Sequence, residues 1–304
     1  MTLPRTRTLT IAFAVAGGVV AIALVLIPRN GAPHHSPVAR YITSVDAAEA
    51  RMTYALTKVE AAYEAVTVHH STSPATANAF AAAVPTLREL ETRIAAVAAP
   101  PAARKLRSLI LQLVRQEIAA TLEIGSLVRF LPHFDAVLRD LAAAASTLTR
   151  RLGAAQAPTP QKIKGTPAQI KQAQAAFTAA STKAALAQAD AVQAYDAVLA
   201  TATKRLRALS PPHLMGPAYR YQLAALARTS TAGAQLAAGL RAPTRKDIPQ
   251  LSRAFAVASR TAQSVGEQRA EIAAVKEYDA RLRAVGTTAE DIRREVVRLQ
   301  AQEH

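Results

Sequence analysis

Residues 41–66 read YITSVDAAEARMTYALTKVEAAYEAV. Tyr41, Val45, Ala48, Met52, Leu56, Val59, Tyr63 and Val66 recur at steps of four, three, four, four, three, four and three. That spacing puts them on one face of a helix and leaves the other faces to Asp, Glu, Lys and Thr. A strand would need alternation with a period of two, and no segment of the chain supplies it.

The same reading extends downstream. The first helix ends near His69-His70-Ser71, and Ser73-Pro74 supplies a cap and an N1 proline for the next. Phe80, Val84, Leu87, Leu90, Ile94 and Val97 form a second stripe, broken by Pro100-Pro101. A third runs through Leu106, Leu109, Leu113, Ile124, Leu127 and Leu131. Pro132 is expected to turn the chain before a fourth through Phe134, Val137, Leu141, Ala145 and Leu148. Residues 157–167 (APTPQKIKGTP) form the best internal boundary. A long helix follows from about Ala168 to Leu209, with Phe177, Ala184, Ala191, Tyr195, Val198 and Leu206 on its stripe, and Pro211-Pro212 ends it. Another helix reaches about Leu240, and Pro243 and Pro249 mark a turn. A further helix carries Leu251, Phe255, Ala258, Ala262 and Val265 toward Val285, where Gly286 is expected to close it. The residues from Thr288 to Asp291 resemble a capping box for a short last helix.

Upstream, Leu9–Ile27 (LTIAFAVAGGVVAIALVLI) is a run of 19 residues without a charge, long enough to cross a bilayer core. Arg5 and Arg7 precede it, which favours a cytoplasmic N-terminus and a signal anchor. A cleaved signal peptide is the rival reading, although its apolar region is usually shorter. Pro28–Pro37 reads as a stiff linker. The expected fold is all-α: an N-terminal transmembrane helix followed by two tandem up-and-down antiparallel helical bundles. The expected divisions are 1–36 for anchor and linker, 37–156 for the first bundle, 157–167 for a linker, 168–285 for the second bundle and 286–304 for a terminal helix.

The second half reads as a repeat of the first. Pro100-Pro101 and Pro211-Pro212 lie 111 residues apart, as do Pro132 and Pro243, and Gln112 and Gln222 lie 110 apart. Tyr63-Glu64-Ala65-Val66 resembles Tyr195-Asp196-Ala197-Val198 at a spacing of 132, which would give the first copy about 20 extra residues near 69–90. The Ile94…Val97…Pro100-Pro101 and Leu206…Leu209…Pro211-Pro212 patterns within Ala/Arg-rich helices resemble those of uncharacterised exported helical proteins of high-GC bacteria. The resemblance spans about residues 50–265. It implies a compartment and a fold, and carries no activity.

Composition removes several chemistries. The chain has no cysteine, which excludes thiolate catalysis, iron–sulfur clusters, c-type haem attachment and a lipid-modified cysteine. It has no tryptophan and only 4% aromatics, which removes the usual stacking platforms for sugars and bases. The seven histidines show no His-Glu-x-x-His and no Glu-x-x-His spacing, and adjacent pairs such as His69-His70 diverge by about 100° on a helix. Glu60 and Glu64 stand at i, i+4 beside the apolar stripe and read as a solvated face. Glu277→Arg281, Asp279→Arg283, Glu290→Arg294 and Asp135→Arg139 read as acid-first helical pairs. No nucleophile elbow or phosphate loop is present. No enzyme, cofactor or metal is expected.

The charge of +16 is unevenly distributed. Residues 150–246 hold 14 Lys and Arg against Asp190 and Asp196, a net of +12. Arg150, Arg151, Lys162, Lys164, Lys204, Arg205, Arg207, Arg220 and Arg228 are the candidates for anion contact, and only tertiary packing could gather them. The leading expectation is a membrane-anchored extracytoplasmic scaffold or binding module whose basic segment meets anionic lipid, a wall polymer or an acidic protein. The alternatives are a sensory or small-ligand bundle, with Tyr54, Tyr63 and Tyr195 lining a space, and a cleaved, secreted helical protein. Nucleic acid is disfavoured, since no reading motif accompanies the charge. Small-xxx-small pairs in the anchor (Ala14/Gly18, Gly17/Ala21) would let two copies associate.

Overall fold

The computed structural model describes residues 36–67, 69, 71–159, 164–242, 247–262 and 265–302. The apolar run at 9–27, most of the linker after it, and Lys162 lie outside them. Among the described residues the protein is all-α, with eight α-helices and no strand. No helix among them is long and apolar enough to cross a membrane.

Helix α1 spans Pro37–Ala50 and α2 spans Thr53–Thr67. Ser36 caps α1 by accepting the Ala39 amide at 2.9 Å, and Pro37 occupies N1, where its missing N–H costs nothing. The two-residue break at Arg51 and Met52 leaves the stripe intact, and from Tyr41 to Val66 only Tyr63 is not fully buried. Helix α3 (Pro74–Ala96) starts on Ser73, which accepts the Thr76 amide at 3.2 Å. A 3-10 turn at Pro101–Ala103 leads into α4 (Arg104–Ala154). Helix α5 (Pro167–Arg207) opens with a full capping box: Thr166 accepts the Gln169 amide, and the Gln169 side chain accepts the Thr166 amide at 2.9 Å. A second 3-10 turn at His213–Met215 leads into α6 (Gly216–Arg241), followed by α7 (Ile248–Thr261) and α8 (Val265–Gln302).

Two punctuation readings fail. Pro132 does not turn the chain, and α4 runs through it. Its ring removes one backbone bond, but Val128, Phe130, Leu131, Phe134 and Val137 are buried on both sides and keep the helix continuous. Gly286 does not close a helix, and α8 passes through it to Gln302. Thr288 is buried inside that helix and donates back to the Ala284 carbonyl at 2.9 Å, so it is no cap. A glycine inside a helix costs only about 1 kcal/mol, and burial of Val285, Ile292, Val296 and Leu299 outweighs it.

The chain forms two compact units. The first takes residues up to Pro132, Pro211–Met215 and Ile272–His304; the second takes His133–Ser210 and Gly216–Glu271. The expected linker at 157–167 falls within the second. The core of the first draws Tyr41, Val45 and Met52 from α1 and the bend, Leu87, Leu90 and Ile94 from α3, Leu106, Ile110 and Leu113 from α4, and Ile292, Val296 and Leu299 from α8. A smaller cluster joins Val66, Phe80, Ile124 and Val128 to Leu214. In the second unit α6 packs between α5 and α7. Gly233 lets Phe255 approach, since a Cβ there would stand 3.2 Å from its ring, and Tyr195 meets that ring edge-on at 6.2 Å.

The helix pair α3–α4 shares its burial register with α5–α6 at a constant offset. Ala77, Phe80, Leu87, Leu90 and Ile94 are buried, and so are Ala189, Val192, Leu199, Ala202 and Leu206, each 112 residues later. Beyond the prolines, Leu106, Leu113, Val114 and Ile124 correspond in the same way to Ala218, Ala225, Leu226 and Leu236. One helix could align by periodicity alone. Two helices on either side of an elbow keep one offset only if the buried positions across it are equally spaced, and Ile94 to Leu106 and Leu206 to Ala218 both span 12 residues. At this offset Tyr195 corresponds to Ala83, not to Tyr63, and no extra residues are needed near 69–90.

Candidate functional site

The basic candidates that are described all lie in the second unit, and all are exposed. That unit holds 18 Lys and Arg against seven Asp and Glu, a net of +11. Lys204, Arg205 and Arg207 occupy the last turn of α5, where cations also offset the helix dipole. Arg220 lies in the first turns of α6. The Tyr219 hydroxyl donates to the Leu206 carbonyl at 3.1 Å and ties these two helix ends together. The fold therefore brings Lys204, Arg205, Arg207 and Arg220 to one elbow. Arg205 pairs with Asp140 of α4. Lys204, Arg207 and Arg220 make no ion pair among the described residues, which leaves three exposed cations on the elbow.

The other candidates stand elsewhere. Lys164 precedes the start of α5, about 60 Å along that helix from Lys204 at 1.5 Å per residue. Arg150 and Arg151 end α4, near the middle of α5, where Gln188 donates to the Ala155 carbonyl at 2.8 Å. Arg228 lies in the body of α6. Arg241, outside the candidate set, is engaged by Asp190 at 2.9 Å and Gln193 at 2.6 Å. The basic residues thus form one elbow cluster and separate exposed positions, not a single face.

The tyrosines are divided between the two units. Tyr54 is 77% exposed with the Lys58 ammonium 4.4 Å over its ring. Tyr63 packs on Phe80 in the first unit and shares a 2.7 Å hydrogen bond with Thr121, while Tyr195 is buried in the second. Glu60 and Glu64 are both exposed. Arg294 pairs with Glu290 as the i, i+4 spacing suggests. Asp135 has no hydrogen-bond partner on Oδ1; burial raises its carboxyl and Arg139 offsets only part of that. Glu277 and Asp279 lie outside the described side chains. His69, His133 and His213 are exposed, and the described residues hold no group of three or more His, Cys, Asp or Glu able to hold a metal.

Sequence reasoning missed one site, in the first unit. Glu117 of α4 is 6% exposed, and its Oε1 is buried with no hydrogen-bond partner. Burial pushes its carboxyl well above the usual range, and the charge of Glu49 on α1 pushes it further. Glu49 is itself half-buried and raised to about 7, first by burial and then by Asp46. Two turns earlier on α1, the Tyr41 hydroxyl is buried without a partner and pushed up to about 12 by burial, against the opposing pull of Arg107. The signal was legible: Leu113, Glu117, Thr121 and Ile124 continue the α4 stripe at steps of four, four and three, so a carboxylate occupies a core position. Glu295 of α8 is buried too, but Arg298 at 2.5 Å and Lys105 at 3.1 Å compensate it, and its carboxyl is lowered chiefly by the Arg298 hydrogen bond.

Comparison with protein-family models, with curated proteins and with solved structures finds no match for the chain.

Proposed function

We propose that this chain is a membrane-anchored, extracytoplasmic helical module that contacts anionic partners through the elbow between α5 and α6. In this reading residues 9–27 are the anchor, and the helices after them form antiparallel bundles on the outer side of the membrane. The observation that carries it is the elbow cluster: Lys204, Arg207 and Arg220 are exposed at one end of a unit with net charge +11 and carry no ion partner among the described residues. Such a cluster attracts the phosphates of lipid headgroups or wall polymers, and the attraction weakens with salt.

The test is a salt titration of the full chain against vesicles with anionic lipid, vesicles of neutral lipid and a soluble polyphosphate. Its comparison is the variant Lys204→Gln, Arg207→Gln, Arg220→Gln. Each basic residue near an anionic surface contributes roughly 1 kcal/mol, so the triple variant should bind anionic vesicles about 100-fold more weakly. A second variant, Arg150→Gln, Arg151→Gln, Lys164→Gln, should lose less if the elbow is the contact. Equal binding by wild type and the elbow variant on all three probes would overturn the proposal.

A further inference from the structure

We infer that Glu117 is a proton-controlled element of the first unit: it sits there as a neutral carboxylic acid, and loss of its proton loosens the packing of α1 and α2 against α4. The inference starts from an unmet demand. An ionised carboxylate in an apolar core needs hydrogen bonds or a counter-ion. Glu117 sits among Leu113, Val114, Ile118 and Thr121, with an oxygen that nothing satisfies.

The repeat shows that the position does not require an acid. Thr229 occupies the corresponding place on α6, fully buried, and donates to the Ala225 carbonyl at 2.8 Å, so a small polar side chain satisfied by its own helix meets the packing need there. Glu117 replaces that solution with a group whose charge depends on pH.

The charges around it do not neutralise it. On α1, Glu49 is a second carboxylate, with Asp46 one turn before it. Three basic groups of α4 are committed elsewhere. Arg115 binds Glu91 of α3 at 2.6 Å, Lys105 binds Glu295 of α8, and Arg107 donates to the Ala95 carbonyl at 2.7 Å beside Tyr41. Glu123, further along α4, accepts the Leu214 amide at 2.8 Å. Among the described residues, ionising Glu117 therefore places a charge beside Glu49 and beside no cation that offsets it. The break at Arg51 and Met52, directly after Glu49, divides α1 from α2 and offers a point at which the strain can be relieved.

The sign follows by linkage. The folded state keeps the proton to a higher pH than the unfolded state, so the first unit is most stable below the ordinary glutamate range. That stability is lost as pH rises through the raised value of the folded carboxyl. One linked proton gives at most about a tenfold loss of protection per pH unit within that window.

The test uses the full chain and two readouts. Infrared spectroscopy should find a protonated-carboxyl band that persists above the ordinary glutamate range in the wild type and is weakened in Glu117→Gln in the same buffer. Amide hydrogen exchange, corrected for its intrinsic pH dependence, should show protection in α1 and α2 falling as pH rises above the ordinary glutamate range, with the fall reduced in Glu117→Gln to the part that the raised Glu49 carboxyl supplies. Glu49→Gln should move the disappearance of the wild-type band to lower pH. Glu117→Thr, which copies Thr229, provides a folded control if the glutamine variant does not fold, and should likewise weaken band and slope. A band above the ordinary glutamate range that is no stronger in the wild type than in Glu117→Gln, or the same exchange slope with and without Glu117, would overturn the inference.

Discussion

Two glycines in the same compact unit allow one chemical change to be made in opposite environments. Gly125 lies in α4 and Gly286 in α8. Replacing either by alanine removes backbone freedom from the unfolded chain and favours helix by about 0.5–1 kcal/mol. At Gly286 a Cβ would meet nothing within 4 Å, so the gain should appear in full. At Gly125 it would stand 2.9 Å from Cβ of Phe80, which is 1% exposed. A Cβ is fixed to its backbone and cannot rotate away. Relief requires moving α3 from α4, and that pair is tied by Arg115 to Glu91 at 2.6 Å and Arg107 to the Ala95 carbonyl at 2.7 Å. Overpacking of this kind costs about 1–3 kcal/mol, so Gly125→Ala should be net destabilising by roughly 0–2.5 kcal/mol. The two variants should differ by about 1–3 kcal/mol. With a urea slope near 2 kcal/mol/M, their unfolding midpoints should separate by about 0.5–1.5 M, Gly286→Ala the higher. Circular dichroism follows both. Equal stabilisation by the two substitutions would refute the close approach of α3 and α4 and the burial register built on it.

Glu295 should respond to pH in the opposite direction to Glu117. Its carboxylate is held low by Arg298 and then Lys105, so the stability it contributes is present above the ordinary glutamate range and lost as pH falls through its lowered value. Glu295→Gln should therefore destabilise the chain near neutral pH, with the difference from wild type vanishing in acid, as thermal melts across pH would report. In the second unit, Leu206 has no exposed surface, and Leu206→Ala should cost about 2–5 kcal/mol in denaturant unfolding. A cost under about 1 kcal/mol would contradict its place in the core.

The helices were legible because their stripes are regular. Tyr41 to Val66 and Leu106 to Leu131 announce one buried face each, and burial follows those positions closely. Proline and glycine were read too literally. Pro132 and Gly286 carry local costs of a few kcal/mol at most, and the apolar residues on either side outweigh them in a long packed helix. The placement of the basic residues was not legible. Lys204 and Arg220 are 16 residues apart across a Pro-Pro break. Their common location depends on how α5 meets α6 at Tyr219, which is a tertiary fact. Lys164 and Lys204 carry the same composition signal yet stand at opposite ends of α5.

The burial register shared by α3–α4 and α5–α6 reframes which polar residues ask for an explanation. Wherever α4 and α6 place corresponding side chains in their cores, most pairs exchange one apolar group for another, as Leu106 does for Ala218 and Val114 for Leu226. Three correspondences break that rule, one of them Thr121, which becomes Gly233. Ile110 becomes Gln222, whose amide donates to the Ala262 carbonyl at 3.2 Å and so ties α6 to the end of α7. Glu117 becomes Thr229, and here the first unit carries the more costly group without a bond to offset it. A core that needed only packing would favour the threonine solution at both places. A buried polar group with a partner fixes geometry, as Gln222 does; a buried acid without one makes stability depend on proton concentration. The same elbow thus supports two chemically different interiors. In the first unit the departure from the shared pattern lies inside, at Glu117. In the second it lies outside, in the cations around Lys204, Arg207 and Arg220, where the corresponding positions of the first unit are Thr92, Ala95 and Ser108.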